Sequence, residues 1–409
     1  MKPGATTIHS APWVVPVTRS PLRNGGVALA NGAIVAVGEV ARLQQEYPQA
    51  DIIDHPHALL TPALINGHIH LELSHLAALA KAPLATTFTG WIIRLLALRD
   101  SLGADGERAE AVARETVISQ YNQGVEVMAD IGNTSIGRTV TASFPGGVLF
   151  THREYLGLAE CTLDKNCQRL HQEPPSTRCS AHAPYSTHPR LIQRIKARAN
   201  DLGHVFPIHT AEPAAEGEMI RQGRGEMVDF IRQRGFWDQS FQPRGSGGSI
   251  NYLYDLGVLD EQTLCIHAIH VSDEEMRILA GEGVKICLCP GSNQFLRTGT
   301  APVQRYLEHG LLPALGTDSL ASNPVLSLWR EMRILAEALP EIELSAIFRM
   351  VTLSGAEALG MDRHFGSLEP GKDGNLLVIP ATDTLVSEDQ VYRFLVHKGE
   401  TVAPQRLMQ

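Results

Sequence analysis

Several large functional classes leave marks that this chain of 409 residues lacks. Charged residues make up only 19%, and acids outnumber bases to give a net charge of -9. No basic run opposes that balance, which argues against a nucleic-acid surface and favours a small or zwitterionic ligand. No apolar stretch reaches the ~20 residues of a membrane-spanning helix. The nearest, "GWIIRLLALRD", is interrupted by Arg94 and Arg99. The opening "MKPGATTIHSAPWVVPV" has neither the compact apolar core nor the small-residue cleavage site of a secretory signal, so a cytoplasmic protein is expected. Cysteine is scarce: six residues (161, 167, 179, 265, 287, 289) without zinc-finger spacing. Cys265, Cys287 and Cys289 lie in apolar runs, where reduced Cys behaves as a small hydrophobe. Short internal repeats and low-complexity tracts are absent too.

What is present is a regular alternation. Eight short apolar runs recur near 60–69, 125–131, 146–155, 178–184, 204–212, 263–271, 284–292 and 311–319, separated by stretches of helical periodicity such as "DGERAEAVARETVISQYNQG". Eight strand–helix units over about 300 residues predict an α/β fold, a (β/α)8 TIM barrel. The open doubly wound sheet is the alternative, but no Gly-rich phosphate fingerprint follows the first run. Residues 7–57 and 366–409 carry short β-type runs broken by Asn-Gly and Gly turns, which predicts a small β-sandwich built from both chain ends. The expected division is 1–58, barrel 59–363, and 364–409. Segment 213–252 is long for a strand-to-strand connection and reads as a helix plus a Gly/Ser loop, a candidate lid.

Polar residues cluster where these runs end, and active sites of barrels sit at the C-terminal ends of their strands. "NGHIH" delivers His68 and His70 two apart, hence on one side of a strand. Later runs deliver His182, His209 with Glu212, His267 with His270, and Asp318. Histidines with a carboxylate are a normal ligand set for zinc or ferrous iron. His75, His188, His204 and His309 read as ordinary core or surface residues. "HLE" at 70–72 imitates the H-x-E of one known zinc-enzyme fold, but the P-C-x-x-C that fold needs is absent.

Five motifs in barrel order, "NGHIH", "HTAE", "IHAIHV", "CPGSNQFLRTGTAPV" and "LGTDSLASNPVLSLWREMR", resemble the amidohydrolase superfamily, in its cytosine deaminase-like and chlorohydrolase-like branch. The resemblance covers nearly the whole chain. It implies one divalent metal ion on His68, His70, His209 and Asp318, with zinc the first expectation and iron or manganese the alternatives. It further implies Glu212 as proton shuttle and His267 beside the metal hydroxide and the leaving group. Binuclear members bridge two metals with a carboxylated Lys; "CSAHAP" offers none, which implies the mononuclear form. His270 reads as structural. The chemistry agrees, because a divalent ion with an open position lowers the pKa of bound water to about 7. Asp318 is then placed to take the water's proton, and Glu212 is the nearest acid left to return one.

"HLELS", "SAHAPYSTHP" and "CPGSN" resemble members that deaminate adenine-bearing nucleosides, including aminodeoxyfutalosine deaminases of menaquinone synthesis and S-adenosylhomocysteine and methylthioadenosine deaminases. The expected contacts are Glu72 (to ribose hydroxyls), Trp91, Arg153, His182, Ser292 and Asn293. Arg153 would grip a carboxylate by paired hydrogen bonds, or else pair with Glu154. Trp91 has core packing as its other reading, and Ser292 and Asn293 have turn formation. The rivals are a cyclic amidohydrolase or chlorohydrolase, and a non-catalytic barrel that only binds. The partner expected is a small nucleoside-like molecule, with neither nucleic acid nor membrane, and the apolar helix at 91–98 is a candidate homodimer contact.

Overall fold

The computed structural model describes residues 6–141, 146–238, 241–381 and 384–407. Residues 1–5 of the segment searched for a secretory signal, and 239–240 of the candidate lid, lie outside the described residues.

Both ends of the chain feed one mixed sheet of seven strands. It contains β1 (Thr7–Val14), β2 (Leu22–Ala30), β3 (Ala33–Glu39), β4 (Asp51–Asp54) and β5 (Ala58–Pro62). The barrel follows as β6 (Leu64–Ile69), β7 (Val125–Gly132), β8 (Val148–Tyr155), β9 (Arg178–Ala181), β10 (Phe206–Thr210), β11 (Thr263–His267), β12 (Lys285–Leu288) and β13 (Ala314–Leu315). The chain then returns to the small sheet with β14 (Leu376–Pro380) and β15 (Gln405–Arg406).

The eight barrel strands pair in parallel and in sequence order. The seam between the last and the first is closed by backbone: the Thr317 and Asp318 amides donate to the His68 carbonyl at 3.0 and 3.1 Å. The strand ends that carry His68 and Asp318 are thereby tied directly together. Gly316 fits this seam because a Cβ there would stand 2.8 Å from the backbone nitrogen of His68.

Helices fill the connections where local sequence supports them. In Pro189–Leu202 the His188 ring accepts from the Arg190 amide, Pro occupies the first turn, and Gly203 ends the helix in the left-handed region at φ 66. Its Leu191, Ile192, Ile195 and Ala199 form the buried stripe. Asp273–Gly281 starts with a Ser272/Glu275 capping box.

Strand alternation divides the core in two. Ile65, Val127, Ala129, Leu264, Ile266, Cys287 and Ala314 fill the barrel's interior, with Phe365 packed among them. Their sequence neighbours Leu64, Met128, Cys265, Ile286 and Leu315 pack outward with the helices. All six cysteines are free thiols, and the "CLC" pair lies inside the barrel core.

Three details depart from expectation. The apolar run near 60–69 is two strands of two sheets: β5 pairs with β1 and β14, and only β6 enters the barrel. "VYRFLVHKGETV", read as β-type, lies mainly in the helix Glu388–Lys398, whose Val391, Phe394 and Leu395 join the core shared with Trp329 and Phe348. Its apolar residues fall at helical intervals, and packing on neighbouring helices overrides their strand propensity. The candidate lid holds the helices Ala214–Gln222 and Glu226–Gln233 ahead of its Gly/Ser loop, and a third, Ser249–Asp255, after it.

Among the described residues no helix is long and apolar enough to cross a membrane. The apolar helix Phe88–Leu102, the candidate dimer contact, turns Phe88, Trp91, Ile92, Leu95 and Leu96 toward the cavity described below and leaves Ile93 exposed.

Candidate metal and catalytic centre

A cavity of about 560 Å³ opens at the C-terminal end of the barrel strands. His70, His182, His209, Glu212, His267 and Asp318 reach it from five different strand ends. Four non-glycine residues here adopt left-handed backbone: Ala211 (φ 52), His267 (φ 70), Ala268 (φ 44) and Asp318 (φ 57). Such conformations cost about 1–3 kcal/mol each and concentrate at functional sites.

One ring nitrogen from each of His68, His70 and His209 lies within 4.8 Å of the other two. His70 Nδ1 is 2.8 Å from the Ile131 carbonyl, and His209 Nδ1 is 2.8 Å from the His182 carbonyl. A carbonyl accepts only, so each Nδ1 carries the hydrogen and each Nε2 is left with a lone pair. Those two Nε2 atoms face each other at 3.2 Å. Two lone pairs at that separation repel unless a cation lies between them. His68 is fully buried with no hydrogen-bond partner on either ring nitrogen. Asp318 Oδ1 completes the group, 3.6 Å from His68 Nε2 and 3.8 Å from His70 Nε2.

The electrostatics agree. Burial pushes His68 down to about 3 and, with the neighbouring rings, holds His209 well below the ordinary imidazole value. Both are neutral donors of electron pairs. Burial opposes charge on His70 too, yet Asp318 and Glu154 overcome it and raise its pKa. Imidazole lone pairs kept free of protons beside a buried carboxylate fit a divalent cation, with the Nδ1–H bonds of His70 and His209 fixing ring orientation.

Two carboxylates are driven in opposite directions. Asp318 is opposed by burial but held well below the usual carboxylate range by His68, His70 and His267, while Ser292 and Ser322 donate to its Oδ2 at 2.5 and 2.9 Å. Burial, then the charges of Asp318 and Glu216, lift Glu212 well above that range. Its Oε1 stands 3.8 Å from His267 Nε2. His267 is kept neutral chiefly by burial, and its Nδ1 lies 3.0 Å from Asn293 Oδ1. That contact directs the Nε2 lone pair toward Glu212 and the cavity.

The expected substrate contacts divide. Glu72, Trp91 and His182 line the cavity. Glu72 is already engaged, however, accepting from the Thr134 amide at 2.7 Å and facing Arg99 at 3.5 Å. Ser292 and Asn293 are buried outside the lining and position Asp318 and His267. Arg153 is directed elsewhere: it pairs with Glu173 at 3.2 Å and donates to the Asn133 carbonyl. The Glu154 pair is not formed, because β8 alternates and Arg153 falls on its outer face. His270 bonds the Thr298 carbonyl, outside the cavity.

Glu154, the residue next to Arg153, is the inward-facing group that motif reading missed. Counting by twos from the interior-packed Phe150 reaches His152 and then Glu154. Ser322 was also missed, although it stands four residues beyond Asp318 in "DSLAS". In the candidate lid, Phe230, Ile231, Arg234 and Phe236 reach the cavity from the second helix and the turn after it, and the Gly/Ser loop does not.

A model of the amidohydrolase family matches residues 59–402, and the chain belongs to that family. It is a hydrolase acting on carbon–nitrogen bonds other than peptide bonds, in a family that depends on metal. Among curated relatives, a 5-methylthioadenosine/S-adenosylhomocysteine deaminase of Nitratidesulfovibrio vulgaris is 27% identical over 88% of this chain and 80% of its own length. An aminodeoxyfutalosine deaminase of a Nitratiruptor species is 24% identical over 94% of both chains. Among solved structures, an adenosine deaminase from Xanthomonas campestris with bound zinc superposes with a TM-score of 0.77 at 22% identity, covering 96% of this chain and 89% of that one.

Proposed function

We propose that this protein is a mononuclear, metal-dependent deaminase of adenine-bearing nucleosides. Aminodeoxyfutalosine, S-adenosylhomocysteine, methylthioadenosine and adenosine are the candidate substrates. The observation that carries the reading is a pair of buried carboxylates in one site: Asp318, 3.6 Å from His68 and driven toward its charged form, and Glu212, 3.8 Å from His267 and driven toward its neutral form. Two carboxylates with separated pKa values mark base and acid. Deamination needs both, because water must lose a proton and departing ammonia must gain one. The names of the curated relatives support the same substrate class.

A divalent cation, zinc by preference, held by His68, His70, His209 and Asp318 would supply Lewis acidity toward water and substrate. Asp318 accepts a proton from the attacking water, and the serine hydroxyls on its other oxygen keep it oriented. Glu212 delivers a proton to the purine on the side of the departing amine. His267 accepts a hydrogen bond through Nε2. Water's oxygen bonds to the ring carbon, the proton held by Asp318 passes to the amine as the carbon–nitrogen bond breaks, and the new hydroxyl's remaining proton returns to Glu212, leaving a ring carbonyl and ammonia. His182 faces the ring from β9. The apolar wall of Trp91, Ile92, Leu95 and Phe230 excludes water and receives the 5′ substituent.

The test is ammonia release by metal-replete protein over a panel of the four nucleosides, guanine and several cyclic amides. Turnover of at least one adenine nucleoside is expected. Turnover confined to the cyclic amides would transfer the site to the cyclic amidohydrolase reading.

A further inference from the structure

Among the carboxylates lining the cavity, Glu154 has an arrangement that the reaction leaves unexplained. Its Oε2 accepts from Asn133 Nδ2 at 2.7 Å. Its Oε1 is buried and has no hydrogen-bond partner. The nearby donor is His209 Nδ1 at 3.7 Å, already engaged with the His182 carbonyl at 2.8 Å. A buried oxygen of this kind is expensive unless something nearby compensates it. Glu154, His182 and His209 do offer ligand atoms within 4.8 Å of one another. Yet His209 has no nitrogen to spare for a second ion, because Nδ1 serves the carbonyl and Nε2 faces His70.

Charge balance supplies the compensation. Three neutral imidazoles and one aspartate leave a dication with one uncancelled positive charge. Glu154 is the buried carboxylate behind the His209 ring, on the side away from the ion. We infer that Glu154 is a positioning residue that tightens metal binding through charge, set against the back of His209 and held there by Asn133, without ligating the metal. In the metal-free protein the same carboxylate is a liability, so its effects on metal affinity and on apo stability have opposite signs.

This rests on the metal centre assigned above, and the two fail differently. The experiment measures divalent-zinc affinity by chelator competition, metal stoichiometry, and the thermal midpoint of metal-free protein, for wild type, Glu154→Gln and Glu154→Asp. For Glu154→Gln, affinity is expected to weaken about 10- to 100-fold, the range for groups behind metal ligands. The metal-free midpoint should hold or rise, and Glu154→Asp should recover part of the affinity. An unchanged affinity overturns the inference, as does a loss of affinity that the metal-free midpoint follows downward. A wild type that binds two ions where Glu154→Gln binds one also overturns it, by making Glu154 a ligand. A wild type that binds no zinc removes the metal centre itself.

Discussion

On β6, Ile65 and His68 stand three residues apart and are equally hidden from solvent. Ile65 packs in the cluster that holds Val127, Leu264 and Ala314, while His68 keeps both ring nitrogens without a partner. β8 repeats the contrast, with Phe150 in the interior cluster and Glu154 carrying an unpaired oxygen. The floor of the barrel follows the rules of a folded core, where burying an Ile or Leu side chain contributes about 1.5–3 kcal/mol. The rim violates them with orphaned polar atoms and left-handed non-glycine backbone. One end of the strands stabilises the fold and the other spends that stability on chemistry, so substitutions should separate the two.

The largest effect is expected at the rim. His209→Ala should reduce ammonia release to background and lower bound metal measured by elemental analysis, while metal-free stability changes little. If the variant retains both metal and activity, the facing nitrogens of His70 and His209 are not a binding site. Glu212→Gln comes next, with kcat reduced by about 10²–10⁴-fold, the usual worth of general acid–base catalysis. Metal content should stay at the wild-type level, because Glu212 is not a ligand. Equal loss of metal in this variant would merge the two roles.

The floor predicts the reverse pattern. Leu264 lies below His267 on β11, and Leu264→Ala should cost about 2–5 kcal/mol of stability through the cavity it opens. Denaturant melts would read that loss. kcat per folded molecule should remain within about twofold, since no side chain at the rim is removed. A large fall in kcat at intact metal content would mean that packing below the rim sets the positions above it.

Much of this was legible in the sequence. Barrel order shows in eight alternating runs, and the candidate ligands stand out because each ends a run: His68, His70, His209 and Asp318, the set the family resemblance implied, lie close together in the structure. What was hidden depends on three-dimensional parity and partners. Whether Arg153 or Glu154 faces inward is decided by which of two alternating faces of β8 meets the interior, and both candidates are polar. That Glu72 is occupied depends on Arg99 and Thr134, 27 and 62 residues away in sequence. That Ser292 and Asn293 support Asp318 and His267 depends on contacts between separate strand ends. The split of the run near 60–69 is concealed because both halves are apolar and buried, in two different sheets.

The smallest effect belongs to Arg153, and it tests parity most directly. Its guanidinium joins Glu173 and the Asn133 carbonyl on the outer face of β8, with side chains 21% and 15% exposed at the ion pair. The pair is only partly exposed, but Glu173 keeps the Tyr155 hydroxyl at 3.2 Å as a partner, so losing the guanidinium costs about 1.5–3 kcal/mol. Arg153→Ala should therefore lower the thermal midpoint by only a few degrees and leave KM within about threefold for every nucleoside on the panel, carboxylate-bearing ones included. The residual effect on KM has a route, since the Asn133 that Arg153 anchors also holds Glu154. A rise in KM of tenfold or more confined to a carboxylate-bearing substrate would place Arg153 inside the cavity after all. Glu154 would then have to leave it, because adjacent residues of one strand cannot share a face.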